Sequence, residues 1–186
     1  MSAYDSLDEA ALVALAKQEP EAFGALYERY VDRIYNYIYY RVGSQEEAED
    51  LTARTFFKAL DKIGDYEDRG APFTAWLYRI AHNLVANWHR QRSRHPILSL
   101  EDLHTPQQAP ANPGQVVEKR ETRAELLAAI HRLPSDRQEL LILKFVERLP
   151  NAQIGEIMGR TESSIKSLYH RTLNTLRSDL NERGLF

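Results

Sequence analysis

Between Arg69 and Leu100 the chain carries five arginines, three histidines and no aspartate or glutamate. Cations at that density, undiluted by acids, create a local field suited to a polyanion, and nucleic acid is the leading candidate. The histidines raise a second possibility, acid–base or metal chemistry, because His82 and His89 lie seven apart and share a helix face, with His95 six further on. No HExxH, GxSxG or glycine-rich phosphate loop accompanies them, so no catalytic residue, metal site or cofactor is expected. Within this stretch Phe73, Leu77, Ile80, Leu84 and Trp88 recur every three or four residues, while Arg79, His82, Asn83, Asn87 and Arg90 fall on the other side. One stripe of such a helix is core and the other can read a ligand. The plainer alternative is a buried bundle helix with an ordinary basic end.

The elements that would position this helix come from the rest of the chain. A length of 186 residues with 43% hydrophobic and 27% charged residues is the profile of folded, soluble protein in one domain or two small ones. No apolar run approaches the ~20 residues that cross a bilayer, and the acidic MSAYDSLDEA start lacks a signal sequence, so a cytoplasmic protein without membrane insertion is expected. The absence of cysteine excludes disulfides, thiolate metal sites and a Cys nucleophile. The net charge of -3 hides a polarity: residues 1–68 hold 15 acids against 7 bases, and residues 69–186 hold 12 against 17. One end repels DNA and offers a surface to a basic partner, and the other attracts DNA.

Four helices are expected in the first part. Ser6 and Glu9 have capping-box spacing ahead of a short helix to about Gln18. Pro20 opens a second with a broad stripe of Ala22, Phe23, Leu26, Tyr27, Tyr30, Val31, Ile34, Tyr35 and Ile38, ended by Gly43. Ser44 and Glu47 repeat the box before a third, whose buried face runs through Ala48, Leu51, Thr55, Phe56 and Leu60 to a stop at Gly64. The turn-forming DYEDRGAP leads into the basic helix. After His95, prolines 96, 106, 110 and 113 break a stretch without period, an extended linker too long for the inside of one domain, which argues for two domains able to move apart. Beyond it, Leu126 to Leu133 mark a helix closed by Pro134, Ser135 and Gln138 form another box opening a helix through Phe145, and Asn151–Met158, Gly159 and a helix from Glu162 to about Asp179 have helix-turn-helix spacing.

The segments AFGALYERYVDRIYNYIYYRVG, EEAEDLTARTFFKAL and PFTAWLYRIAHNLVANWHRQRSR resemble region two of bacterial sigma factors. LPSDRQELLILKFVERLPNAQIGEIMGRTESSIKSLYHRTLNTLR looks like region four. The two occur in the family's order on about nine-tenths of the chain, as in the small extracytoplasmic-function group. The resemblance implies an all-α fold: a four-helix region 2 bundle (1–95), a flexible linker (96–115), and a four-helix region 4 domain with the helix-turn-helix (116–186). It implies a transcription initiation factor that binds core RNA polymerase, through the beta-prime coiled coil and the beta flap, recognises promoter DNA and is held inactive by an anti-sigma factor. Polymerase contacts would come from Glu49, Asp50, Leu51, Ala53 and Arg54, the last two standing where the family usually has Gln-Glu. The minus-ten element would meet Tyr66, Phe73, Trp76, Arg79, His82, Asn83, Arg90, Arg92 and Arg94, with His82 in a position where arginine is common. The minus-thirty-five element would meet Glu162, Ser163, Ser164, Lys166, Ser167, His170 and Arg171. The alternative is a transcriptional regulator that uses the helix-turn-helix alone on duplex DNA; it would have no need of an outward Asn83 on the basic helix.

Overall fold

The computed structural model describes Tyr4 and residues 6–68, 70–93 and 125–183. The expected linker 96–115, and with it Arg69 and Arg94, lies outside the described residues. Among the described residues every regular element is helical. Helix α1 (Glu9–Ala16) starts later than its sequence signal, because Asp8 rather than Ser6 is the N-cap and accepts from the Ala11 amide at 2.7 Å. Glu9 is released from capping its own helix. It accepts instead from the Phe73 amide at 2.9 Å and from the Tyr30 hydroxyl, which puts a carboxylate on the N-terminus of the basic helix 64 residues away.

Helix α2 (Pro20–Val42) begins on its proline and ends on Gly43, whose φ of 70° closes the last turn. Helix α3 (Gln45–Lys62) is capped by the Ser44 hydroxyl and runs into a 3-10 turn, Ile63–Asp65. The expected reciprocal bond from Glu47 is absent, since its carboxylate takes the Trp88 indole N–H at 2.7 Å and ties α3 to α4. Helix α4 (Phe73–Ser93) is the basic helix. Leu12, Leu26, Ile34, Ile38, Leu51, Leu77 and Leu84 fill the space between the four. Tyr37, absent from the expected stripe, is fully buried, whereas Tyr27 and Leu60, both expected inside, are 43% and 48% exposed.

The second unit holds helical residues 125–131 (α5), α6 (Ser135–Leu141), α7 (Asn151–Met158) and α8 (Glu162–Glu182). The Ser135 cap is not made. Pro134 takes the N-cap position, and Gln138 donates backward to the His131 and Leu133 carbonyls at 3.0 and 2.7 Å, locking the α5–α6 corner. The helix expected through Phe145 widens into a π turn, Ile142–Val146, which swings Phe145 and Val146 out into solvent. Thr161 caps α8 through the Ser164 amide. Gly159, with φ of 64°, ends α7, and Gly155 lies directly beneath the turn: a Cβ there would stand 2.5 Å from the Arg160 carbonyl oxygen. Only glycine leaves room for the chain to double back.

The two units pack together. Leu140, Leu143, Leu149, Ile154 and Ile157 join the same apolar cluster as Tyr78, Ala81 and Val85 of α4, and a small satellite core of Ala129, Leu133, Leu141, Leu176 and Leu180 completes the second unit.

Candidate nucleic-acid interface

On α4 the burial of Leu77, Tyr78, Ala81, Leu84 and Val85 fixes the rotation of the helix, and Arg79, Asn83, Asn87 and Arg90 face solvent along one line. The guanidinium of Arg90 donates to the Asn87 side chain, so the polar row is ordered. Arg92 is committed elsewhere, stacked 4.8 Å over Trp88 and 3.7 Å from Glu47. At the N-terminal end Tyr66, Phe73 and Trp76 form a ring cluster with centroids 5.1–5.4 Å apart. Phe73 is only 2% exposed, its ring covered where the turn before α4 is anchored in the core. Tyr66 and Trp76 remain partly accessible. Burial, with Asp68 and Glu9 nearby, pushes the Tyr66 phenol up, so it stays a neutral donor. Beside it Lys17 donates to the Tyr66 carbonyl at 2.6 Å, on the wall of a hollow of about 210 Å³ between α1 and the 66–72 loop, lined also by Glu9, Val13 and Asp68.

His82 stands apart from this row. It does not face outward with Arg79 and Asn83. Its Nδ1 lies 2.7 Å from Oε1 of Glu139 on α6, and because a carboxylate only accepts, Nδ1 carries the proton. The same oxygen receives the Tyr37 hydroxyl and lies 3.0 Å from Arg41, whose side chain is 4% exposed against 1% for Glu139. Burial pushes the Glu139 carboxyl up, but the bonds from His82, Arg41 and Tyr37 outweigh it and hold the group below its ordinary range. Tyr37 is driven well above its ordinary value by burial and by that carboxylate. Nothing in the sequence distinguished Glu139 from any other helix acid.

On α8, Ile165 and Leu168 are buried against α7, which turns Glu162, Ser163, Lys166, Ser167, His170 and Arg171 outward and leaves Ser164 half covered beside its cap. Lys166 pairs with Glu162 at 2.8 Å on the surface, a contact worth little that a phosphate can displace. The helix therefore offers hydroxyls, a lysine and an arginine from one exposed face, the donor set that suits base edges and phosphates in a major groove.

A third surface lies on α3. Glu49, Asp50, Ala53 and Arg54 are exposed, with Arg54 3.4 Å from Asp50. Leu51 is 1% exposed and packs in the core beneath them. Reasoning from sequence missed Phe57, 73% exposed on the same face and flanked by Leu60. Its spacing of seven from Asp50 was the available signal. Among the described residues no group of three His, Asp or Glu side chains could hold a metal ion, and no helix is long and apolar enough to cross a membrane.

Two family models match the chain, Sigma-70 region 2 over residues 26–95 and Sigma-70, region 4 over residues 123–176. In this order on one polypeptide they define the sigma-70 class. Among curated relatives, the ECF RNA polymerase sigma factor SigW of Bacillus subtilis is 30% identical, over 89% of this chain and 92% of its own length. The ECF sigma factor BldN of Streptomyces coelicolor is 40% identical over 85% of this chain, and SigE of Mycolicibacterium smegmatis is 31% identical over 83%. The chain spans 60% of the length of each of these last two. Similar folds occur in CnrH in complex with the cytosolic domain of CnrY (TM-score 0.68, 19% identity, 94% of this chain and 97% of that one) and in the sigma factor RpoE in complex with the anti-sigma factor NepR from Bartonella quintana (TM-score 0.68, 22% identity, 86% and 96%). The chain belongs to the ECF RNA polymerase sigma factors.

Proposed function

We propose that this protein binds core RNA polymerase and directs it to promoters, reading the minus-ten element with α4 and the minus-thirty-five element with α8. The observation that carries the reading is the pair of solvent-facing polar rows, Arg79/Asn83/Asn87/Arg90 and Ser163/Lys166/Ser167/Arg171, held on two helical units of one chain. Arginines at the ends of each row would hold phosphates, and Asn83 and the α8 serines would meet bases. The loop around Tyr66, with the adjoining hollow, would receive an extruded base, offsetting an unstacking cost of a few kcal/mol by stacking at about 1–3 kcal/mol. The exposed α3 face, acidic at Glu49 and Asp50 and apolar at Phe57, would dock the polymerase. The domain boundaries 1–95 and 116–186 belong to this reading. The protein would act in the cytoplasm without covalent chemistry of its own, and an anti-sigma factor would cover these faces, as the named complexes of CnrH and RpoE support.

Run-off transcription with purified core polymerase and a pool of promoter fragments tests the proposal. Transcripts with defined starts, dependent on the protein, are expected. Binding to duplex fragments without polymerase, and no stimulated transcription on any fragment, would instead establish a regulator acting through the helix-turn-helix alone.

A further inference from the structure

Helix α1 precedes residue 26, where the match to region 2 begins, yet it forms one wall of the hollow beside the 66–72 loop. Glu9 and Lys17 brace the two ends of that loop. The Glu9 carboxylate accepts from the Phe73 amide at 2.9 Å and from the Tyr30 hydroxyl, so both of its oxygens are engaged. Lys17, the C-cap of α1, donates to the Tyr66 carbonyl at 2.6 Å. An ammonium has three N–H donors, and among the described residues the other two of Lys17 have no hydrogen-bond partner. Ala10, Val13 and Ala14 give the hollow an apolar side, and Tyr66 gives it an aromatic one. Its volume of about 210 Å³ lies below the ~300–1,000 Å³ of sites for drug-sized molecules, which is the scale of a single nucleobase.

We propose that Lys17 is a specificity-determining residue for the minus-ten element, and that its amino group selects thymine in this hollow. The proposal rests on the reading above that the Tyr66 loop receives an extruded base. An ammonium donates and cannot accept, so it favours a base with a carbonyl oxygen on the edge it meets. Thymine offers O4 there, whereas cytosine offers an N4 amino group and would set donor against donor. Next to O4, the thymine C5 methyl suits the alanine and valine side chains of α1, an apolar contact that guanine, also a keto base, does not make. The ring N–H on the other side of O4 needs an acceptor. Asp68 can supply it, since it gives one carboxylate oxygen to the Gly70 amide at 2.8 Å and keeps the second.

The test uses the holoenzyme and a promoter recovered from the run-off pool. Each non-template base of the minus-ten element is replaced in turn, and complex formation is measured by competition. One position is expected to prefer thymine over cytosine about tenfold, and Tyr66→Ala should abolish that preference. At the same position Lys17→Arg should keep it, Lys17→Met should lose it, and Lys17→Glu should shift it toward cytosine, whose N4 amino group a carboxylate accepts. The other minus-ten positions are the internal standard. Base analogues separate the two parts of the contact. Uracil, which keeps O4, should bind within about fourfold of thymine, and 5-methylcytosine, which keeps the methyl but not O4, about tenfold more weakly. A thymine preference that survives in Lys17→Met and Lys17→Glu while Tyr66→Ala removes it would overturn the role of Lys17. So would equal binding of 5-methylcytosine and thymine, or a Tyr66-dependent position that prefers another base. A Tyr66→Ala holoenzyme with the parent's preferences at every position would defeat the base-capture reading, and the proposal with it.

Discussion

Replacing Gly155 by alanine sets two known effects against each other at one atom. In a helix interior the change from glycine to alanine is worth about 0.5–1 kcal/mol in backbone entropy. At position 155 the added methyl would lie 2.5 Å from the Arg160 carbonyl oxygen. That oxygen cannot swing away cheaply, because it belongs to a turn already fixed by two bonds: the Gly159 and Arg160 amides both donate to the Gly155 carbonyl, the latter at 2.9 Å. Overpacking of this kind costs about 1–3 kcal/mol, so a net loss of about 1–2 kcal/mol is expected. For a chain of this length it lowers Tm by roughly 2–8 °C. Gly24, in the middle of α2, is the matched control, since an added Cβ there meets nothing within 4 Å. Gly24→Ala should raise Tm by about 1–4 °C, the propensity term alone. Thermal unfolding of the two variants side by side reads the sign of each. If Gly155→Ala were as stabilising as Gly24→Ala, the doubling-back of the chain over Gly155 would be wrong, and with it the orientation of α8.

Asn83→Ala should impair minus-ten selection in run-off assays far more than core binding, because the side chain is exposed and supports no packing; equal loss of both would remove its reading role. Phe57→Asp should weaken core binding about tenfold or more if the α3 face docks the polymerase as proposed, while leaving Tm within about 1 °C, as expected for a 73% exposed side chain. Acidification should loosen the packing around Glu139. The bonds from His82, Arg41 and Tyr37 hold its carboxyl below the ordinary 4.5, so its contribution is present above that value and lost as pH falls through the lowered one. Tm followed against pH by circular dichroism should fall through that range, and an unchanged fall in Glu139→Gln would remove the carboxylate's contribution.

The helix count, the Pro20 start, the Gly43 stop and the Gly159 corner were legible because each rests on a local rule that tertiary packing had no reason to override. Capping boxes failed wherever a better partner stood across the fold. Glu9 was taken by Phe73 and Tyr30, Glu47 by Trp88, and Gln138 by the preceding corner. In each case a side chain expected to close its own helix holds two helices together, a choice that depends on contacts 41 and 64 residues apart for the two glutamates and is invisible to a short window. Periodicity placed the α4 face correctly at Arg79, Asn83 and Arg90. It also placed Phe73 and Leu51 in the buried stripes, where they are, but set His82 with the outward row, because the carboxylate it turns toward lies 57 residues away on α6.

His82 shows what a single helix is asked to satisfy. One side of α4 closes the four-helix core, a second carries the exposed polar row, and the narrow strip between them meets α6 and α7. There the His82 imidazole meets Glu139 through one N–H, beside Arg41 and the Tyr37 hydroxyl on the same carboxylate oxygen. The packing of the two units is therefore divided in kind: apolar contact of α7 on α4 supplies attraction, and the polar cluster around Glu139 supplies registry. Replacing such a buried cluster by packed apolar side chains is often neutral or stabilising by about 1–4 kcal/mol, so the cluster at this position sets geometry more than strength.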